Sequence, residues 1–238
     1  MKALILNSGV GSRLGSLTNE HPKCMTELTE GDTILSRQLR QLERVGIREV
    51  VITTGPMEDK IIEHVTGLGL EMHVEYVNNP EYRSTNYIYS MQLAADRLDS
   101  DLILMHGDLV FSDAVLRAAV DSPESCMTVS STLPLPEKDF KAVIQGGAVR
   151  KVGVEFFDEV LAAQPLYHLK KQDWFIWRDA ISRMCAEGQV KCYAENALNG
   201  CTDRCHIVPL DVQDMLCGEI DTPEDLEKML VALRAMSA

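Results

Sequence analysis

The chain has 238 residues, 45% hydrophobic and 25% charged, enough apolar material for the core of one globular α/β domain. A formal net charge of −13 argues against nucleic acid or an anionic membrane as partner, and no apolar stretch approaches the ~20 residues of a membrane span. Seven cysteines, an odd and scattered set, point to reduced thiols in the cytoplasm.

Residues 2–7 form a short apolar run of strand length, and Met1-Lys2-Ala3 reads as the start of that strand. A signal peptide would need a longer apolar run and a small-residue cleavage site. The strand empties into Ser8-Gly9-Val10-Gly11-Ser12-Arg13-Leu14, and Pro22-Lys23 follows nine residues later. A strand leading into a glycine-containing loop turns backbone N–H groups toward a polyanion, and Arg13 and Lys23 flank that loop in an otherwise acidic chain. The spacing separates the known phosphate loops. No G-x-x-x-x-G-K-[ST] string occurs. A dinucleotide fingerprint requires its third glycine where Leu14 stands, and the second strand ends Thr53-Thr54-Gly55 without a ribose-binding acid, which disfavours a dehydrogenase. A plain strand-to-helix turn accounts for Gly9 and Gly11, but not for the two cations.

Further strands are predicted over 49–54, 71–77 and 101–106, with helices over 34–45, 59–65 and 86–98 between them. In the first helix Ile34, Leu35, Leu39, Leu42 and Val45 share one face, Thr33 is placed to cap it and Gly46 to stop it. This alternation implies right-handed crossovers, a mostly parallel sheet and a ligand at the carboxyl ends of the strands. The second half is less regular. It reads as a hairpin over 141–145 and 148–152 around Gly146-Gly147, helices over 157–163 and 173–187, short strands over 190–193 and 206–208, and a closing helix over 222–236.

Asp108 follows the fourth strand in His106-Gly107-Asp108, where a carboxylate points into the ligand crevice. Asp221 precedes the last helix in Glu219-Ile220-Asp221-Thr222-Pro223. Asp221 fits two readings, a helix cap and a metal ligand. Cys201, Cys205 and His206 cluster loosely with Cys192 upstream. Zinc and simple thiols are both open there, and the missing second close pair favours thiols. Trp174, Phe175 and Trp177 fall within four residues, with Asp173 and Asp179 beside them. Such a stripe serves either the core or an aromatic cage for an ammonium group, and Tyr87, Tyr89 and Tyr167 are further cage candidates.

Leu6-x-x-Gly9-x-Gly11-Ser12-Arg13-Leu14 with Pro22-Lys23 resembles the G-x-G-x-R-L…P-K signature of nucleotidyltransferases that activate sugar phosphates and phospho-alcohols with an NTP. Thr33-Ile34-Leu35, residues 51–55, Gly107-Asp108 and Glu219-Ile220-Asp221 are similar as well, so the resemblance spans nearly the whole chain. It is nearest to small cytidylyltransferases acting on phosphocholine or aminoethylphosphonate, whose Asn- and Tyr-containing segment resembles residues 82–91. The resemblance implies a Rossmann-like sheet and one nucleotidyltransferase domain over 1–238, with a nucleotide half to about residue 110 and an acceptor half from about 111. Mg²⁺ would sit on Asp108 and Asp221. Lys23, Arg13 and Asp108 would carry catalysis. CTP would lie against Leu6, Asn7, Ser8, Gly9, Gly11, Ser12, Ser84, Thr85 and Gly107. Asp173, Trp174, Trp177 and Tyr167 are the expected acceptor wall. Two departures stand out: Asn7-Ser8 replaces the family's usual Ala-Ala, and the stretch from Glu137 to Val152 is short. A sugar-1-phosphate nucleotidyltransferase is the nearest rival, and a non-catalytic nucleotide-binding module the next.

Overall fold

The computed structural model describes residues 1–236. In chain order, β1 (Lys2–Leu6) leads through two 3₁₀ turns, Ser12–Thr18 and Lys23–Met25, into the hairpin β2 (Glu27–Thr29) and β3 (Asp32–Thr33). Then follow α1 (Ile34–Arg44), β4 (Glu49–Thr54), α2 (Glu58–Gly67), β5 (His73–Asn78), α3 (Tyr87–Ala94) and β6 (Leu102–His106). The second half contains β7 (Leu109–Phe111), α4 (Asp113–Val120), β8 (Cys126–Ser130), the hairpin β9 (Lys141–Gln145) and β10 (Ala148–Gly153), and β11 (Val160–Leu169). It closes with α5 (Lys171–Ala186), α6 (Ala194–Asn199), β12 (Val208–Asp211), β13 (Cys217–Glu219) and α7 (Pro223–Met236).

The main sheet runs β10-β9-β11-β6-β1-β4-β5, with β8 on β11 and β12 on β8. Strands β6, β1, β4 and β5 are parallel, so their carboxyl ends share one edge. Alternation along β1 splits the core by face. Leu4 joins Met91, Tyr167, Trp174 and Trp177 under α3, α5 and α6, whereas Ala3 and Ile5 join Leu35, Leu39, Leu42 and Leu116 under α1 and α4. The α1 boundary follows local chemistry: Thr33 and Ser36 form a reciprocal capping box, and Gly46 leaves the helix at φ +83°.

Three predicted elements differ. Residues 157–163 were expected as a helix, but β11 begins at Val160, because it finds partners in β6, β8 and β9. Pro165 bars a helix continuing through it, and the pairing with β8 shifts register between Ala163 and Tyr167, where proline withdraws a donor. Residues 190–193 are irregular and lead into α6, and the strand expected over 206–208 starts two residues later as β12. Among the described residues no helix is long and apolar enough to cross a membrane.

Candidate active site

The parallel strands deliver the site. Asn7 N donates to Thr53 O at 3.0 Å and Gly107 N to Leu6 O at 3.1 Å, so the ends of β1, β4 and β6 stay level as the chain leaves the sheet. Gly11 then takes φ +69°, and a Cβ there would lie 2.8 Å from Lys23 Cβ. Glycine is therefore needed both for the left-handed backbone and for the close approach that couples loop to lysine. Leu14 anchors the loop in a small apolar cluster with Ile34, Val110 and Ile220.

Lys23 reaches back to the sheet edge. Its Nζ lies 2.5 Å from Asp108 Oδ2 and 2.5 Å from Asp221 Oδ1, and Arg13 Nη2 lies 2.9 Å from the same Asp221 oxygen. Burial works against the Lys23 charge, but the two aspartates outweigh it and raise its pKa. Burial likewise opposes the Asp108 carboxylate, and Lys23 and His106 more than offset this and hold its pKa below the ordinary value. Asp221 does not cap α7. Thr222 and Asp225 bond reciprocally there, which leaves the Asp221 carboxylate for the cations.

Two residues absent from the sequence-derived set complete this floor. His106 Nδ1 lies 3.0 Å from Glu219 Oε1, and ligand atoms of His106, Asp108 and Glu219 fall within 4.8 Å of one another. Burial disfavours the His106 cation, yet the Glu219 hydrogen bond and the surrounding acids lift its pKa to about 9. Burial and the Asp108 charge push Glu219 up to about 7 against the pull of His106. A signal for both lay in proximity: each is the last residue of its strand and stands two residues before an expected metal aspartate.

These groups line a cavity of about 420 Å³. The structure brings Leu6, Asn7, Ser8, Gly9, Gly11, Ser12, Arg13 and Lys23 to its walls. Thr85, Gly107, Asp108 and Asp221 also line it. Ser84 does not, since its hydroxyl turns back to Glu81 O at 3.2 Å. Asn7 Nδ2, Ser8 Oγ and Asp108 Oδ1 are buried with no hydrogen-bond partner among the described residues.

The expected acceptor wall is corrected. Trp174 and Trp177 are fully buried, and their indole N–H groups donate to Leu98 O at 2.8 Å and Ala194 O at 2.9 Å. Asp173 instead fastens the start of α5, accepting from Ser125 Oγ at 2.6 Å and from His206 N at 3.0 Å. Tyr167 is buried edge-on to Trp177 and donates to Glu195 Oε1 at 2.9 Å. The aromatic groups that do line the cavity are Tyr82, Tyr87, Phe140 and Tyr193, with His106 among them. Phe140 and Tyr193 meet edge to face at 5.1 Å, and Tyr87 meets His106 likewise at 4.8 Å. Tyr87 donates to Glu195, which also receives Tyr167. Cys201 Sγ donates to Ala197 O at the end of α6 and Cys205 Sγ to Asp173 O on α5, so both thiols are buried in helix packing.

A phosphate loop, a lysine held between two strand-end acids and a cavity beside them define a nucleotidyltransferase-type site. Residues 3–132, more than half the chain, match the MobA-like NTP transferase domain, and the chain belongs to that family. It is 31% identical over 186 residues to the CMP-5'-(3-aminopropyl)phosphonate synthase of Streptomyces rubellomurinus, covering 77% of this chain and 29% of that protein. It is 27% identical over 135 residues to the CTP:phosphoglutamine cytidylyltransferase of Campylobacter jejuni, covering 54% and 52%. The chain thus spans about half the length of such curated relatives, or less. The CTP:phosphocholine cytidylyltransferase structure from Streptococcus pneumoniae superimposes with TM-score 0.79 at 18% identity, covering 98% of both chains. That likeness matches the fold, a mostly parallel central sheet flanked by helices.

Proposed function

We propose that this chain is a Mg²⁺-dependent cytidylyltransferase. It would transfer CMP from CTP to a small phosphonate or phosphate ester bearing a positive group, such as an aminoalkylphosphonate or phosphocholine, and release pyrophosphate. The observation that carries the reading is the Lys23 ammonium at 2.5 Å from both Asp108 and Asp221, directly under the Gly9–Gly11 loop. The names of the relatives, several of them cytidylyltransferases, support CTP and a phosphonate or phosphate acceptor. The scattered cysteines support a cytoplasmic setting.

Asp108 and Asp221 fit a divalent ion. Their carboxylates already share one cation in Lys23, and the second Asp108 oxygen is buried without a partner. Bound there, Mg²⁺ would supply charge for the phosphate oxygens. The acceptor's phosphate or phosphonate oxygen attacks the α-phosphorus in line; the new P–O bond forms as the bond from the α-phosphorus to the bridging oxygen breaks, and that oxygen leaves with pyrophosphate. The attacking oxygen is already anionic, so no general base is needed. Lys23 would move from the aspartates to the α-phosphate, and Arg13 would neutralise the departing β- and γ-phosphates. The loop from Ser8 to Arg13 would receive the triphosphate, and the nucleoside would extend toward Thr85.

The acceptor's positive group would lie against the wall of Tyr87, Phe140 and Tyr193, which line the cavity together with Glu219. A pyrophosphate-release assay with four NTPs against a panel of aminoalkylphosphonates, phosphocholine and sugar 1-phosphates tests the reading. Release restricted to CTP with a cationic acceptor supports it, and turnover only with a sugar 1-phosphate refutes it.

A further inference from the structure

Glu195 is a buried acid that the reaction described above leaves without a task. It sits in the first turn of α6, is 2% exposed and is not among the residues lining the cavity. Tyr87 donates to its Oε2, and Tyr167 donates to its Oε1 at 2.9 Å. Among the described residues no cation pairs with it, and the cavity's imidazole, His106, is already matched by Glu219 at 3.0 Å. Two neutral hydroxyls do not balance a carboxylate taken out of water, and an apolar side chain of similar size would pack there at lower cost.

Tyr87 supplies a reason for the acid. It begins α3, lines the cavity, and meets His106 at 4.8 Å and Tyr193 at 5.8 Å between ring centroids. Its ring thus belongs to the cavity wall while its hydroxyl belongs to Glu195. Tyr167, fully buried on β11, occupies the second carboxylate oxygen and so fixes the acid in one orientation. A hydroxyl that donates to an anion enriches its own ring in electron density, and a buried negative charge is weakly screened across the protein interior. Both effects favour a cation against the wall. We propose that Glu195 is a positioning residue for the acceptor: acting through Tyr87, its buried charge selects an acceptor that carries an ammonium group. This rests on the cytidylyltransferase reading above and adds the origin of its preference for a positive group. Tyr167, expected to touch the acceptor, then serves it one layer back.

The test measures kcat/KM for cationic acceptors against neutral isosteres: 3-aminopropylphosphonate against n-butylphosphonate, and phosphocholine against 3,3-dimethylbutyl phosphate. Wild type is expected to favour the cationic member of the pair it turns over. Glu195→Gln keeps the shape and a partner for both hydroxyls but removes the charge, and the cationic-to-neutral ratio is expected to fall about tenfold. Tyr87→Phe cuts the link between wall and acid, and the ratio is expected to move in the same direction. A merely structural role for Glu195 would lower both acceptors alike, or be rescued by glutamine, and so leave the ratio at its wild-type value. That outcome overturns the proposal and leaves the enzymatic reading standing. Thermal melting shows whether each variant is folded; should Glu195→Gln not be, an unchanged ratio in Tyr87→Phe overturns the proposal equally. A wild-type protein that treats cationic and neutral acceptors alike, or releases no pyrophosphate from CTP with any of them, overturns the reading above and this inference with it.

Discussion

Lys23 Nζ and Asp108 Oδ2 are 2.5 Å apart although 85 residues separate them, and Asp221 meets the same ammonium from the other end of the chain. The lysine thus bridges two carboxylates that would otherwise repel each other at the sheet edge. In the proposed reaction it exchanges one anion for another, aspartate for α-phosphate. Lys23→Ala and Asp108→Ala are each expected to lower turnover at least ~100-fold, as the loss of one preorganised electrostatic group does. They should differ in metal binding. Mn²⁺ affinity without nucleotide should rise in Lys23→Ala, where the carboxylates lose their resident cation, and fall in Asp108→Ala. Paramagnetic titration of Mn²⁺ reads this directly, and equal affinity in both variants contradicts the shared-carboxylate account.

What could be read from the residues alone was whatever is local. The α1 boundaries follow from an apolar face and a capping residue three positions before Ser36, and the phosphate loop from glycine spacing and two cations. Residues 157–163 misled because an Ala-Ala pair favours a helix in isolation, whereas residues 160–163 are held extended by pairing with two neighbouring strands, β8 and β9. The Trp174–Trp177 stripe misled for a different reason. Helical spacing is identical for a core face and a ligand face, and only the position of α5 over the sheet decides between them. The aromatic wall that reaches the cavity is assembled from Tyr87, Phe140 and Tyr193, too far apart in the chain to form any local pattern.

That exchange of walls gives a paired test. Trp177→Phe is expected to cost up to about 3 kcal/mol of stability, through lost packing and the lost bond to Ala194 O, and to leave acceptor preference unchanged. Tyr193, 40% exposed at the cavity, should behave in the opposite way: Tyr193→Ala leaves the melting temperature nearly unchanged and raises acceptor KM about tenfold. Urea unfolding alongside steady-state kinetics distinguishes the two. An altered acceptor preference in Trp177→Phe would restore the sequence-based wall.

Lys141 offers a prediction about how the cavity's outer edge is held. Its side chain is fully buried, Nζ donates to Pro136 O at 2.8 Å and Asp139 O at 3.3 Å, and the Phe157 ring centroid lies 4.1 Å away. Backbone carbonyls thus receive the ammonium and tie the segment before β9 to the sheet, and that segment carries Asp139 and Phe140 into the cavity. Lys141→Met keeps the aliphatic stem and removes the donors. It is expected to lose about 1–3 kcal/mol of stability and to raise acceptor KM about fivefold, with CTP KM nearly unchanged. A proportional rise in both KM values would show that the tie serves the whole fold and not the acceptor side.

His168, at the end of β11, makes stability depend on pH. The side chain is fully buried, Nδ1 lies 2.8 Å from Ala119 O, and Nε2 is buried without a partner among the described residues. Burial first, and then the Lys170 charge, lower its pKa below the usual 6.5. The neutral ring is therefore the folded form, while the unfolded chain takes up a proton as pH drops through about 6.5. Its contribution is complete above that value and is lost progressively as pH falls toward the folded pKa, at no more than ~1.4 kcal/mol per pH unit for one proton. His64, lowered by burial and by Arg40, adds in the same direction. Urea unfolding between about pH 5 and about pH 7 is expected to show stability declining with acidification in wild type and a shallower decline in His168→Gln. Parallel slopes in the two proteins would mean that His168 titrates alike in the folded and unfolded chain, and that the acid sensitivity originates elsewhere.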